Sequence, residues 1–304
     1  MSNTKPIILS IIICLCLCSI LSPLARIYAQ ESAKIKGAIR IPDTGNVQII
    51  ETIDGSTIMG RITAIEDDKI QFETDIGIMT IETFKIKEIK EVPISQFIGG
   101  AYWFTNPNDT RLLFAPTARC LKGGEGYFAD YYLFFPMIAY GITDNITIAG
   151  GASIFPWIGI ENNLFYIMPK IGFAIGEKFN IAGGALLVKA PSFDDESNPT
   201  VGICYGVATV GSANSNLTAG IGFGYVDWEF EDTPMLMLGA QHRVSRRLSL
   251  VTENWMSPGM DQPLVSLGLR FFGEKLSVDL GLVNTIGEDM IFPGIPYIDF
   301  VLKF

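Results

Sequence analysis

The chain has 304 residues with 22 basic and 32 acidic side chains, one histidine, five cysteines and 31 glycines, for a net charge of −10. That balance excludes a disordered tail, a disulfide mini-protein and a nucleic-acid binder, which needs a basic face. Mean hydropathy is +0.33, yet only Ile7 to Leu21 approaches the ~18 apolar residues of a spanning helix, so the remaining hydrophobicity must follow another pattern.

Lys5, an apolar run ending at Leu21, then Ser22-Pro23 and Ile27-Tyr28-Ala29 follow the order of charge, hydrophobe and small residue of a secretory signal. A signal peptide is expected over 1–29, cleaved after Ala29. An uncleaved inner-membrane anchor is the other reading of this run, which is short for a span and is broken by Pro23. Cleavage removes Lys5, Arg26 and no acid, taking the net charge from −10 to −12, and leaves Cys120 and Cys204 of the five cysteines.

Residues 34–93 carry short alternating segments: Val47 to Thr52, Ser56 to Thr63, Lys69 to Thr74, Gly77 to Glu82 and Phe84 to Ile89. Asp54-Gly55 between two of them is a strong hairpin signal. Ile58, Gly60 and Ile62, Ile70 and Phe72, and Ile78 and Thr80 are expected to supply inward faces, enough for a five-stranded closed barrel. The pattern Thr52-Ile53-Asp54-Gly55-Ser56, Gly60-Arg61-Ile62, Ile70 to Thr74 and Gly77 to Ile81 resembles the small SH3-like or Sm-like barrels of exported bacterial proteins. Acids interleave these strands (Glu66, Asp67, Asp68, Glu73, Asp75), so no nucleic acid is expected as a partner. A periplasmic docking module is expected instead, gripping a periplasmic protein or the cell wall. Residues 94–109 follow as a linker.

From Thr110 to Phe304 twelve alternating segments are marked, near 110–119, 127–142, 146–155, 164–176, 180–189, 200–211, 217–229, 235–244, 248–257, 264–272, 276–285 and 295–304. A tilted membrane strand uses ~9–11 residues, so this stretch suits about twelve strands. Tight connectors (Thr143 to Asn145, Glu177 to Phe179, Ser212 to Asn216, Ser245 to Arg247, Glu274-Lys275) alternate with longer ones (Cys120 to Gly126, Pro156 to Asn163, Ala190 to Pro199, Ser257 to Pro263, Gly287 to Gly294). Outer-membrane barrels have this habit, with the short turns periplasmic. An even strand count returns the C-terminus to the side of the N-terminal module.

Strand facing follows from the last well-marked hairpin. Pairing Gly273 with Leu276 sets Phe271 opposite Val278, Leu269 opposite Leu280 and Leu267 opposite Leu282 on an apolar outer face, and Arg270 opposite Asp279 inside. A one-residue slip would expose Arg270 to lipid, costing about 2–4 kcal/mol at mid-bilayer. Phe165, Ile167, Pro169, Ile171, Phe173 and Ile175 share one face, and so do Leu217, Ala219, Ile221, Phe223 and Tyr225. The segments at 146–155, 180–189 and 248–257 alternate poorly. Tyr127, Phe128, Trp157, Trp228, Phe230 and Trp255 are candidates for interfacial belts.

The chain ends Tyr297-Ile298-Asp299-Phe300-Val301-Leu302-Lys303-Phe304. Terminal Phe304 with Leu302, Phe300 and Ile298 on one face resembles the C-terminal signature of bacterial outer-membrane proteins. The resemblance implies a Gram-negative envelope, outer-membrane lipid around the barrel, and the barrel-assembly machinery as a partner during biogenesis.

No catalytic, cofactor-binding or metal-ligating set emerges. In His242-Arg243-Val244-Ser245 a spacing of three puts the hydroxyl on the face opposite the imidazole, so His242 reads as a rim residue. Asp194-Asp195-Glu196 reads as a solvated loop. Cys120 and Cys204 are expected on the first and sixth strands, too far apart to bridge. Candidate lumen charges are Lys170, Arg243, Glu253, Arg270 and Asp279. The long connectors hold Glu125, Glu161, Asp194, Asp195, Glu196, Asp261, Glu288 and Asp289, and the short ones hold Lys178, Arg246, Arg247 and Lys275. An acidic mouth over a mixed lumen would favour cations or neutral solutes.

The sequence therefore predicts an all-β, non-enzymatic outer-membrane protein. A small periplasmic module precedes a twelve-stranded barrel that is a narrow, porin-like channel for small solutes or a structural barrel. The alternative is a closed-lumen adaptor acting through residues 34–93. Residues Gln96 to Asn108, with Trp103, Phe104 and Pro107, are expected to be able to cap the lumen from below.

Overall fold

A computed structural model describes residues 35–98, 101–156, 159, 162–189, 199–287 and 290–304. The predicted leader, Trp157, Glu161, Asp194 to Glu196, Glu288 and Asp289 lie outside the described residues. The chain divides into two compact units between Ala101 and Tyr102.

The first unit contains β1 (Asn46–Thr52), β2 (Thr57–Ile65), β3 (Lys69–Thr74), β4 (Gly77–Glu82) and β5 (Ile86–Pro93), with a 3-10 turn at Thr83–Lys85. They form one antiparallel sheet in the order β4-β3-β2-β1-β5. The Asp54-Gly55 turn is present, with Gly55 at φ 86° and the Thr52 amide donating to Ser56 O at 2.9 Å. Ile50, Ile62, Ile70, Phe72, Ile81, Ile86 and Ile89 make the core. Two expectations are corrected here. Phe72 pairs with Met79 and Ile70 with Ile81, so β4 turns Met79 and Ile81 inward and leaves Ile78 68% exposed. Period-two alternation makes this a one-residue phase error at the Gly77 turn. No ladder joins β4 to β5 among the described residues, so the sheet curls without closing.

The second unit is a closed antiparallel barrel of twelve strands. In chain order these are β6 (Gly126–Tyr131), β7 (Phe135–Thr143), β8 (Ile146–Ala152), β9 (Phe165–Ala174), β10 (Phe179–Lys189), β11 (Thr200–Gly211), β12 (Ser215–Val226), β13 (Met235–Ser245), β14 (Leu248–Met256), β15 (Leu264–Phe272), β16 (Leu276–Thr285) and β17 (Ile295–Lys303). Each pairs with the next, and β17 closes on β6 through Val301 opposite Ala129 and Lys303 opposite Tyr127. A two-residue strand, Glu229–Phe230, extends β12 at its far end.

The β15–β16 register sets Arg270 opposite Asp279 and Leu269 opposite Leu280, as the sequence reading required. Outward positions are apolar around the ring: Ile138, Ile167, Phe173, Leu217, Leu238, Leu267 and Leu280 are each 44–65% exposed. Tyr225 departs from this rule. Although on the outward phase, it is covered by Trp228, stacked at 5.2 Å, and by Phe230 at 5.4 Å. Of the proposed belt aromatics, Tyr127 is buried inside, Trp255 faces inward, and Trp228 and Phe230 are exposed on the wall.

The strand count agrees with the sequence, but two assignments change. Residues 110–119 are not in the wall. The segment 127–142 is two strands, β6 and β7, folded at Tyr132 and Leu133, which take left-handed φ values of 54° and 65°. Two consecutive left-handed residues make the tight turn that suits the twist of a hairpin. Asp130 Oδ1 accepts the Phe135 amide at 3.1 Å and holds it.

Candidate functional site

Residues 102–125 occupy the lumen. The segment enters at the short-turn end, where the Arg243 guanidinium lies 4.9 Å from the Trp103 ring and 4.5 Å from that of Phe272 and donates to Phe104 O at 2.7 Å. It rises through buried Asn106, Asn108 and Arg111. It folds back at Leu112 to Ala115, whose amide and carbonyl bond at 2.8 Å, and descends through Ala118 and Leu121 to Gly123, whose amide donates to Asp144 Oδ1 at 2.9 Å beside the β7–β8 turn. Cys120 to Gly126 is thus the returning arm of an inserted hairpin, not a long loop, and Glu125 pairs with Lys303 at 3.0 Å instead of joining an acidic mouth.

All five lumen candidates point inward, and four of them bond the hairpin backbone directly. Lys170 Nζ donates to the carbonyls of Thr110 (3.1 Å), Thr117 (3.2 Å) and Arg119 (2.6 Å). Glu253 Oε2 accepts the amides of Leu113, Phe114 and Ala115 at 2.9–3.0 Å, and its Oε1 accepts Trp255 Nε1 at 2.7 Å. Arg270, with no exposed surface, forks onto Asp279 at 2.8 and 2.7 Å. It also donates to Gln241 Oε1 at 2.7 Å and to the carbonyls of Asn108, Arg111 and Leu112. Arg243 makes the bond to Phe104. Asp279 reaches the hairpin chiefly through Arg270, with Asn108 Nδ2 at 3.5 Å.

Sequence reasoning missed the hairpin's own contributions. Arg111 pairs with Asp299 and donates to Leu113 O at 2.9 Å, while Tyr297 Oη donates to the same carbonyl at 2.9 Å. Thr209 and Thr147 accept the Ala118 and Leu121 amides at 2.8 and 2.9 Å. Pro116 was a weak signal, because proline disfavours a central strand yet Pro169 lies within β9.

No known protein-family model matches the sequence, and no curated protein matches it. Solved structures similar to the chain include a loop-deleted OmpT, an outer membrane protein of Vibrio cholerae, at 10% identity and TM-score 0.33 over 85% of this chain and 96% of that one. Another is Salmonella typhi OmpF in complex with daunomycin, at 11% identity and TM-score 0.33 over 85% and 96%. At that identity and score the likeness carries no information about activity.

Beside the hairpin a partly enclosed cavity of about 200 Å³ remains, lined by Thr110, Arg111, Phe114 and Pro116 of the insert and by the wall from β6 to β14. His242 lies on the outer wall, where its Nδ1 is 2.9 Å from Ser215 Oγ. This partner is supplied by the β12–β13 register, which residue spacing cannot reveal. Cys120 lies in the returning arm, not on a first strand, with Sγ 3.3 Å from Asn145 O. Cys204 sits on β11, the sixth strand, and both thiols are free. At the C-terminus Ile298, Leu302 and Phe304 are exposed on the outer face, and the Phe300 ring lies 5.9 Å from that of Phe128.

Proposed function

We propose that this chain is an outer-membrane barrel protein whose lumen is closed by its own inserted hairpin, a structural or adaptor barrel and not an open channel. The observation that carries this reading is the hairpin clamp: the charges available to line a pore are bonded to the segment that fills it. Ten of the twelve strands span 9 to 12 residues, the length that crosses a bilayer. The outward apolar ring would be an aggregation hazard in water. On this reading Ile298, Phe300, Leu302 and Phe304 form the assembly signal, the short turns are periplasmic, and residues 34–93 are a periplasmic SH3-like module that docks an envelope protein or the cell wall. The 3-10 turn and the sheet order β4-β3-β2-β1-β5 favour that likeness. No reaction and no cofactor are assigned.

Refolding without residues 1–29 into lipid tests the reading. A heat-dependent shift in gel mobility is expected with no single-channel steps, while a variant lacking residues 109–118 is expected to give discrete steps. Steps from the intact protein, or silence from a folded deletion variant, would overturn it.

A further inference from the structure

We propose that the cavity beside the hairpin binds a single aliphatic chain, as in a fatty acid or the tail of a lipid. The inference rests on the seated hairpin of the reading above. The hairpin is bonded mainly to the charged side of the ring, by Arg243, Glu253, Arg270 and Asp299 on β13 to β17. The cavity lies against the rest of the ring, where Lys170, Thr147 and Thr209 also reach the hairpin, and its lining is mainly apolar, which is unusual because the inside of membrane barrels is polar. Met137, Met168, Leu186 and Ile203 on β7 to β11, with Met237 on β13 and Trp255 on β14, line it.

The charged groups at its base are committed elsewhere, and Tyr127, Tyr131 and Tyr205 bring the other polar atoms to the lining. The Lys170 ammonium is held by three carbonyls, and the terminal nitrogens of Arg111 go to Asp299 and Leu113 O. An apolar cavity of about 150 Å³ is already large enough for benzene. At about 200 Å³ this one lies below the roughly 300–1,000 Å³ of sites for drug-sized ligands, so it suits a slender occupant. Met137, Met168, Met235 and Met237 supply four adaptable thioethers, which accommodate chains of differing length.

The test uses the protein refolded without residues 1–29 and cis-parinaric acid, a polyene fatty acid that quenches tryptophan emission. Saturable quenching at one probe per protein is expected above the linear background of partition into detergent or lipid. Trp255→Phe should remove the saturable part. Ala149→Phe, which fills the cavity from β8, should weaken it about tenfold or more, and Met168→Trp serves if that variant does not fold. Displacement by dodecanoic acid alone assigns free chains, and displacement by a short-chain phospholipid assigns a lipid tail. Linear quenching equal in the intact protein and Ala149→Phe, from samples that show the heat-dependent shift, would overturn the cavity proposal. Loss of that shift in the intact protein would instead overturn the membrane-barrel reading.

Discussion

Replacing Arg270 separates two roles that its contacts combine. It is fully buried, pairs with Asp279, and donates to three carbonyls of the inserted hairpin. Arg270→Met strips Asp279 of its counter-charge, which costs about 3–5 kcal/mol when one member of a buried pair is removed. That corresponds to roughly a 100- to 4,000-fold shift toward the unseated hairpin. If Arg270 served only to neutralise Asp279, Arg270→Met with Asp279→Leu would recover the wild type, because buried pairs replaced by apolar groups are often neutral or stabilising. The carbonyls of Asn108, Arg111 and Leu112 would still lose a donor, at about 1–3 kcal/mol for each group left unsatisfied. The double variant is therefore expected to stay well below wild type and to conduct intermittently. The gel-shift midpoint reports the barrel, and planar-bilayer recording reports the hairpin. A double variant as silent and as heat-resistant as wild type would refute the clamp.

Phe304→Ala should lower the outer-membrane level several-fold in whole-cell fractionation if the C-terminal face is an assembly signal, and unchanged levels would count against it. A Cβ at Gly126 would sit 2.5 Å from the Phe304 ring, so Gly126→Val should weaken the closing seam by about 1–3 kcal/mol, seen as a lower gel-shift temperature. In the N-terminal module Asn46 Nδ2 donates to Glu91 at 2.8 Å, joined by the Asp43 amide and Arg40, and these bonds hold the Glu91 carboxyl below its ordinary 4.5. Its contribution is present above the ordinary value and fades as pH falls through the lowered one. A carbon-13 carboxyl titration should place its midpoint below 4.5 and show it rising in Asn46→Ala. A midpoint at or above 4.5 in the unaltered chain would contradict the assignment.

The barrel was legible because the outer and inner faces of its wall impose opposite demands on alternate residues, as in Leu267 to Phe272. The hairpin was not, because the short apolar run Leu112 to Pro116 reads equally as a strand, whereas Leu112, Leu113 and Ala115 are buried inside the ring. Its misreading as a wall strand was offset by the merging of β6 and β7, so the total of twelve survived two errors. The merged turn carries Tyr132 and Leu133 where glycine or asparagine is the usual signal. The segments that alternated poorly have particular causes: β8 and β10 turn Ala149 and Ala182 inward, to the cavity and to the packed core, so apolar residues fall on both faces, while β14 turns Val251 inward and Thr252 and Asn254 outward. Register placed the five lumen charges and paired Arg270 with Asp279, but the hairpin partners could not be read, since they lie 51 to 171 residues away.

Both arms of the hairpin cross the same rim, beside Arg243 at one end and Asp144 at the other. The insert is therefore a loop dipped into the ring from one side, not a chain threaded through it. It can be drawn out and returned with every rung between neighbouring strands intact and the β6–β17 seam shut. A segment running from one mouth to the other would have no such freedom, because freeing it would require passing a chain end through the ring or breaking the wall.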